Sequence, residues 1–317
     1  MTIMSLYTPL CDLLGIEYPI FQGGMAWVSD AALAAAVSRA GALGIIGSGS
    51  ADPQWVAREI RKVRELTDRP FGVNVMLMNP HAAEIMAVIR ELKVPVVTTG
   101  AGNPGKYVAG LKEAGVRIFP VVSAVAPARR LARSGVDGLI AEGMESGGHI
   151  GELGTLPLVP QVVDAVNVPV VAAGGIFDGR GVAAALVLGA AGVQLGTRFM
   201  TALECTIHPR VKEALVRASD RDTAVTGRSL GHPVRALYNR LTRRFAEMEA
   251  AGVPKEEIEE LGRGRLRAAM VEGDVENGTI CAGQVAGMVE KIQPAAEIIA
   301  ELVSGTQERI RRLEGVV

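Results

Sequence analysis

Short apolar runs rich in valine and isoleucine recur along the chain, separated by segments of helical periodicity. The runs begin near Tyr18, Leu43, Phe71, Val94, Arg117, Gly138, Val168 and Gly192. Their near-continuous apolarity predicts strands buried on both faces, as a parallel sheet requires. Starts 21 to 30 residues apart leave room for a strand, a helix and two short loops. Pro19, Pro95 and Pro169 stand where runs begin, and there a missing ladder donor is tolerated. Val56, Ile60, Val63 and Leu66, then Ile85, Val88, Ile89 and Leu92, keep the three- or four-residue spacing of a buried helix face. A weak repeat relates KVPVVTTGAG (93–102) to NVPVVAAGGI (167–176), and AGALGIIG to GAAGVQLG. Eight strand–helix units in about 200 residues specify an α/β fold, a (β/α)8 TIM barrel. An open doubly wound sheet is the alternative that strand number alone leaves standing.

The pattern changes after Thr201. No strand pattern is clear between 207 and 244, where nine Lys or Arg face three acids. Pro254 to Val271 reads as one helix, acidic then basic. From Pro294 to Leu313, Ile298, Ile299, Leu302, Val303, Ile310 and Leu313 fall on one stripe expected to pack back on the barrel. These shifts divide the chain into a barrel, 1–200 plus 284–317, and a smaller, mainly helical unit, 201–283. The chain has 317 residues, 49% hydrophobic and 21% charged, which excludes disorder, and a net charge of −1 argues against a global nucleic-acid surface. No run of 18 uninterrupted apolar residues and no basic-then-apolar leader occurs, so membrane insertion is not expected. Cys11, Cys205 and Cys281 are odd in number and far apart, which suits a reduced, cytoplasmic protein.

Barrel sites lie at the C-terminal strand ends, with phosphate held by the loops after the seventh and eighth strands. Those loops carry AAGGIFDGRG (172–181) and QLGTRF (194–199). Gly174 and Gly175 would let backbone approach a phosphate before a helix start, and Gly196 and Thr197 add donors. Tight turns made by glycine explain either loop alone; both together favour phosphate. QGGM ends the first strand, Asn74 lies in the third and Gln194 in the eighth. Amide side chains there suit a flat ring with polar edges, and flavin mononucleotide (FMN) fits that outline. AEGMESGGHIGELGTL (141–156) brings Glu142, Glu145 and His149 together on a flexible, glycine-rich loop. A histidine there can orient a substrate or donate a proton near neutral pH. No HExxH, no His/Cys cluster, no GxSxG elbow and no GxxxxGK[ST] loop occurs, so no metal centre is indicated.

FQGGMAWVSD, AGALGIIGSGS, DRPFGVNVMLMNP, VVTTGAGNP, AEGMESGGHIG, VVAAGGIFDGRG, VQLGTRFMTALE and GHPVRALYNRLTRRF follow in order over nearly the whole chain. Together they resemble the FMN-dependent enoyl-acyl-carrier-protein reductase II family, a branch of the nitronate monooxygenase-like superfamily. The resemblance implies that Gly24, Met25 and Ala26 line the flavin ring and that Asn74 hydrogen-bonds its polar edge. It implies that Ala173, Gly174, Gly175, Gly196 and Thr197 surround the phosphate, with Gln194 near the ring or ribityl chain. Glu142, Ser146 and Gly147 should border the same cofactor, and His149 matches the family's active-site histidine.

On this resemblance, NADH or NADPH is the co-substrate and a trans-2-enoyl thioester of fatty acid synthesis the substrate. His149 would supply a hydrogen bond to the enolate oxygen or a proton to the α-carbon. Acyl carrier protein is acidic, so the basic stretch 207–244, led by Arg235, Arg240, Arg243 and Arg244, is the expected docking surface. Family members are often homodimers, and some respond to a monovalent cation. A nitronate monooxygenase would share barrel, FMN and histidine, with O2 as electron acceptor. A flavin-free barrel lyase or isomerase on a sugar phosphate, or a flavin carrier, are the remaining alternatives. An inosine-monophosphate-dehydrogenase-like enzyme is set aside, because residues 143–155 lack its nucleophilic cysteine.

Overall fold

Alternation along eight parallel strands decides which side chains face the barrel interior and which face the surrounding helices. The computed structural model describes residues 6–314. The strands are β1 (Ile20–Gln22), β2 (Gly44–Gly47), β3 (Phe71–Met76), β4 (Val96–Gly100), β5 (Arg117–Val122), β6 (Leu139–Glu142), β7 (Gly148–His149), β8 (Val170–Ala173), β9 (Gly192–Leu195), β10 (Thr223–Thr226) and β11 (Val234–Leu237). The large sheet runs β1-β9-β8-β6-β5-β4-β3-β2, all parallel, and a parallel bridge between Phe21 and Leu43 brings β1 against β2. The fold is therefore the TIM barrel. β7, β10 and β11 form a separate three-stranded antiparallel sheet.

Two buried layers follow from the alternation. Phe21, Leu43, Ile45, Val96, Phe119, Ile140 and Val171 fill the barrel, with the Phe21 and Phe119 rings edge to face at 5.7 Å. Their strand neighbours Ile20, Ile46, Val73, Val97, Ile118, Leu139, Val170 and Val193 face outward and pack under the helices. The short helix Pro9–Leu14 joins the interior layer through Leu10, Cys11 and Leu14 and is tied to the barrel by the Thr8 hydroxyl, which donates to the Ala191 carbonyl at 2.6 Å. It thus closes the end opposite the site.

The helices keep the greater part of the faces expected of them and lose them toward their ends. Helix Pro53–Leu66, capped by Asp52, fully buries Val56, Ile60 and Val63, whereas Leu66 is exposed at its end. Helix Ala295–Glu314 buries Ile298, Ile299, Leu302 and Val303 and packs on helices Gly179–Val187 and Ala31–Arg39. Its stripe stops at Thr306: Ile310 is half-buried and Leu313 exposed. The 254–271 segment is two helices, Lys255–Gly262 and Arg265–Glu272, because Gly264 between them takes φ 74°. The hairpin β10–β11 occupies ground that showed no strand pattern in sequence. Its strands are only four residues long and include Thr223, Thr226 and Arg235, which mask the period of two. No helix among the described residues is long and apolar enough to cross a membrane.

Gly44 shows how closely helix and strand approach: a Cβ added there would lie 1.9 Å from the Ala34 carbonyl oxygen. Gly44→Ala must push helix Ala31–Arg39 outward and should cost about 3 kcal/mol, read as a fall in the chemical unfolding midpoint.

Candidate active site

One step above the apolar interior layer, the same alternation turns polar side chains inward. Ile140 faces in, so Glu142 does; Val96 faces in, so Thr98 does; Asn74 and Gln194 follow on their strands. Strand register sets them side by side: Asn74 pairs with Thr98, Glu142 with Ala173, and Ala173 with Gln194. Asn74 donates Nδ2–H to Thr98 Oγ1 at 2.9 Å. This ring of polar groups rims the barrel mouth.

The β1 loop crosses that ring. A Cβ on Gly24 would lie 2.3 Å from the Asn74 Cβ, and one on Gly23 would lie 3.3 Å from the Gln194 side chain. Met25 packs against Gly47, and its sulfur lies 3.4 Å from where a Cβ on Gly196 would stand; Ala26 covers Gly49. Trp27, half exposed beside them, takes φ 62°, a strained backbone for a bulky residue. Gln22, in the same QGGM motif, turns away from this rim. Its amide is fully buried, bonded to the Ser29 hydroxyl and to the backbone of Ile45, and is structural.

Two turns of exposed backbone donors adjoin the ring. Gly174 and Gly175 take φ 91° and 71°, the left-handed region that glycine enters without a Cβ clash. The amides of Gly174, Gly175 and Gly196 donate to no acceptor among the described residues. At the helix start after β8 the Arg180 amide is already committed, since it donates to the Asp178 carboxylate at 2.9 Å. Thr197 is buried, and its Oγ1 accepts the Gly283 amide at 2.9 Å, leaving its own hydrogen to donate.

The loop after β6 is held rather than flexible. The Glu145 carboxylate accepts from the amide and hydroxyl of Thr155 at 2.9 Å, and that hydroxyl reaches the Gly174 carbonyl. Glu145 is thus a brace between β6, β8 and the helix Thr155–Ala165. His149 lies in β7, opposite Val234 of β11, and the Ile150 amide donates to the Pro233 carbonyl at 3.0 Å. Arg235, expected to dock a partner, is instead 5% exposed: its Nε donates to the Met144 carbonyl and its Nη1 to Thr223. An alternating strand sends it inward to stitch the hairpin to the β6 loop. Arg240, Arg243 and Arg244 are exposed on helix Arg240–Ala250.

Sequence reading missed the segment Ile280–Gln284. The Leu237 amide donates to the Ile280 carbonyl, Ala282 lies against Gly147 so closely that a Cβ there would come within 2.6 Å, and the Gln284 amide donates to the Glu145 carbonyl. The segment closes the site from the side of the second sheet. Neither helix nor strand periodicity marks it; the only signal was its one glycine, Gly283.

Electrostatics at the mouth are set by burial. Enclosure away from water pushes the Glu142 carboxyl up to about 7; the Ser146 hydroxyl opposes the rise, although it sits outside hydrogen-bonding geometry. Protein crowding one side of the His149 ring, then the charge of His232, lowers its pKa, so the exposed imidazole is neutral at pH 7. The Cys281 thiol is pushed up to about 11 by burial and is a poor nucleophile.

A flat ring with amide-like edges and a phosphate tail suits this arrangement. The Ser146 hydroxyl is buried without a hydrogen-bond partner, and the glycine turns leave backbone donors unpaired at two adjacent points. Residues 7–92 and 85–305 match the family model described as nitronate monooxygenase. The structure is similar to that of FabK from Thermotoga maritima, with a TM-score of 0.96 and 50% identity over 98% of this chain and 99% of that one. A (3aS,4S,5R,7aS)-5-hydroxy-7a-methyl-1-oxo-octahydro-1H-indene-4-carboxyl-CoA dehydrogenase of Mycobacterium tuberculosis is 35% identical over 95% of this chain and 96% of its own. A probable nitronate monooxygenase of Staphylococcus aureus is 34% identical over 93% and 96%.

Because the folded state raises the Glu142 pKa, its contribution to stability is full at low pH and fades as pH rises from 4.5 through about 7. Above that range the apo protein carries a penalty of about 3 kcal/mol. Glu142→Gln should therefore melt higher than the wild type at pH 8, with the gap closing at pH 5. A gap that stayed constant across this range would contradict the enclosed carboxyl.

Proposed function

The chain belongs to the nitronate monooxygenase family, and from that premise we propose that it is an FMN-dependent enoyl-acyl-carrier-protein reductase. The supporting observation is the 50% identity with FabK over almost the full length of both chains, joined to a polar strand-end ring beside two donor turns. Gly174, Gly175, Gly196 and Thr197 would hold the phosphate, and Ala173 would lie under it. Gly24, Met25, Ala26, Asn74 and Gln194 would line the ring, and Glu142, Ser146 and Gly147 would border it. Bound FMN supplies hydride transfer from NADH or NADPH to the β-carbon of a trans-2-enoyl thioester.

Around that chemistry the chain's own groups polarise and enclose. The β7–β11 pairing fixes the backbone of His149, and from there its imidazole would meet the developing negative charge. A neutral imidazole carries one N–H donor, which fits a hydrogen bond to the thioester oxygen as the enolate forms. The β1 loop and the segment Ile280–Gln284 shield the mouth from water on two sides.

His149→Ala should retain FMN at wild-type stoichiometry while kcat/KM for crotonyl-CoA falls on the order of 10²–10³-fold. The function is tested by anaerobic reduction with NADH followed by crotonyl-CoA: reoxidation of the flavin is expected. The family model and the Staphylococcus aureus relative favour a second reading, nitronate monooxygenase. Oxygen uptake with a nitronate, and a reduced flavin indifferent to crotonyl-CoA, would decide for it.

An acidic acyl carrier protein would meet the exposed face carrying Arg240, Arg243 and Arg244. The Arg243→Glu, Arg244→Glu double variant should raise KM about tenfold for carrier-linked substrate and leave that for the CoA thioester unchanged. Equal effects on both substrates would remove the docking role.

A further inference from the structure

Arg198 follows Thr197 in the β9 turn, yet its guanidinium points away from the mouth and is only 5% exposed. Its Nη2 donates to Glu301 at 2.7 Å and to Gln293 at 3.3 Å, and its central carbon sits 4.5 Å above the Phe177 ring. Phe177 lies two residues beyond Gly175, so the guanidinium rests between the two donor turns. Glu301 belongs to helix Ala295–Glu314, and the same helix brings Gly305 against Gly179, where an added Cβ would lie 2.3 Å from the Gly305 carbonyl carbon. One helix therefore contacts both Arg198, next to the Gly196–Thr197 turn, and the helix start four residues beyond Gly175. Arg198 Nε and Gln293 Nε2 are buried without partners, an arrangement that costs stability and calls for a compensating role.

We propose that Arg198 is a positioning residue for the cofactor phosphate: without touching the anion, it locks the Gly196–Thr197 turn to the Gly174–Gly175 turn through Phe177 and Glu301. This rests on the FMN reading above and assigns the C-terminal helix a part in cofactor recognition. A planar guanidinium suits the task because it can stack on a ring while donating in its own plane. Lysine at the same place could keep an ion pair with Glu301 but could not also stack as a plane. Registration of the two turns matters because their unpaired amides must converge on one small anion, and a shift near 1 Å is enough to spoil such a site.

Riboflavin, which has the same ring and ribityl chain but no phosphate, separates this role from general support of the fold. Fluorescence quenching on the refolded apo protein, in buffer free of phosphate, reads the dissociation constants of FMN and riboflavin. Wild type should prefer FMN strongly. Arg198→Gln should weaken FMN roughly tenfold or more while riboflavin changes less than about twofold, and Arg198→Lys should recover part of the preference. Glu301→Gln, at a half-exposed position, removes the charge that holds the guanidinium to the helix and should shift the preference in the same direction. An unchanged preference in Arg198→Gln, or equal weakening of both ligands, would overturn the proposal. Should Arg198→Gln fail to fold, an unchanged preference in Glu301→Gln would overturn it as well. A wild-type protein that binds riboflavin as well as FMN would instead sink the cofactor reading itself.

Discussion

The closed parallel barrel imposes a two-residue alternation, and almost every feature of the site descends from it. Each strand must commit alternate positions to an interior that closes on itself, because no edge exists where a misplaced side chain could reach water. The layer containing Phe21, Phe119, Ile140 and Val171 is apolar throughout. The layer above contains Asn74, Thr98, Glu142 and Gln194, and a slip of one residue in β3 or β9 would put valine or leucine in place of an amide at the mouth.

Placing a carboxyl in that upper layer has an energetic consequence. Glu142 is largely enclosed, and burial raises its pKa to about 7, whereas Glu145, three residues on, is held by the Thr155 amide and hydroxyl. Two carboxylates of one loop thus have different work: one braces the backbone, the other faces the space where a ligand would lie. The second sheet completes the enclosure. By pairing β7 to β11 it fixes the backbone of His149, and by burying Arg235 it joins the hairpin to the β6 loop.

The barrel was legible because its signals are local. Strand runs, prolines at their starts and helix stripes such as Val56, Ile60 and Val63 each depend on residues a few positions apart. The glycine turns at 174–175 and the strand positions of Asn74 and Gln194 were legible for the same reason, since glycine's backbone freedom and the strand period of two are local signals. The hairpin β10–β11, the break at Gly264 and the segment Ile280–Gln284 were not, because each is short and is held by partners more than thirty residues away or by one positive φ.

The chain alone determined the eight barrel strands and a family pattern running through nearly its full length. Those follow from periodicity and from residues whose chemistry is confined to a few neighbours. Tertiary structure alone decided that Gln22 is sealed into the wall, that Asp178 caps its helix, that Arg235 is buried and that His149 is pinned in a strand. In each case the deciding partner lies in another loop or strand, or the side chain had two equally good uses. Only packing, by fixing which polar groups lose water and which find a partner, selects between them.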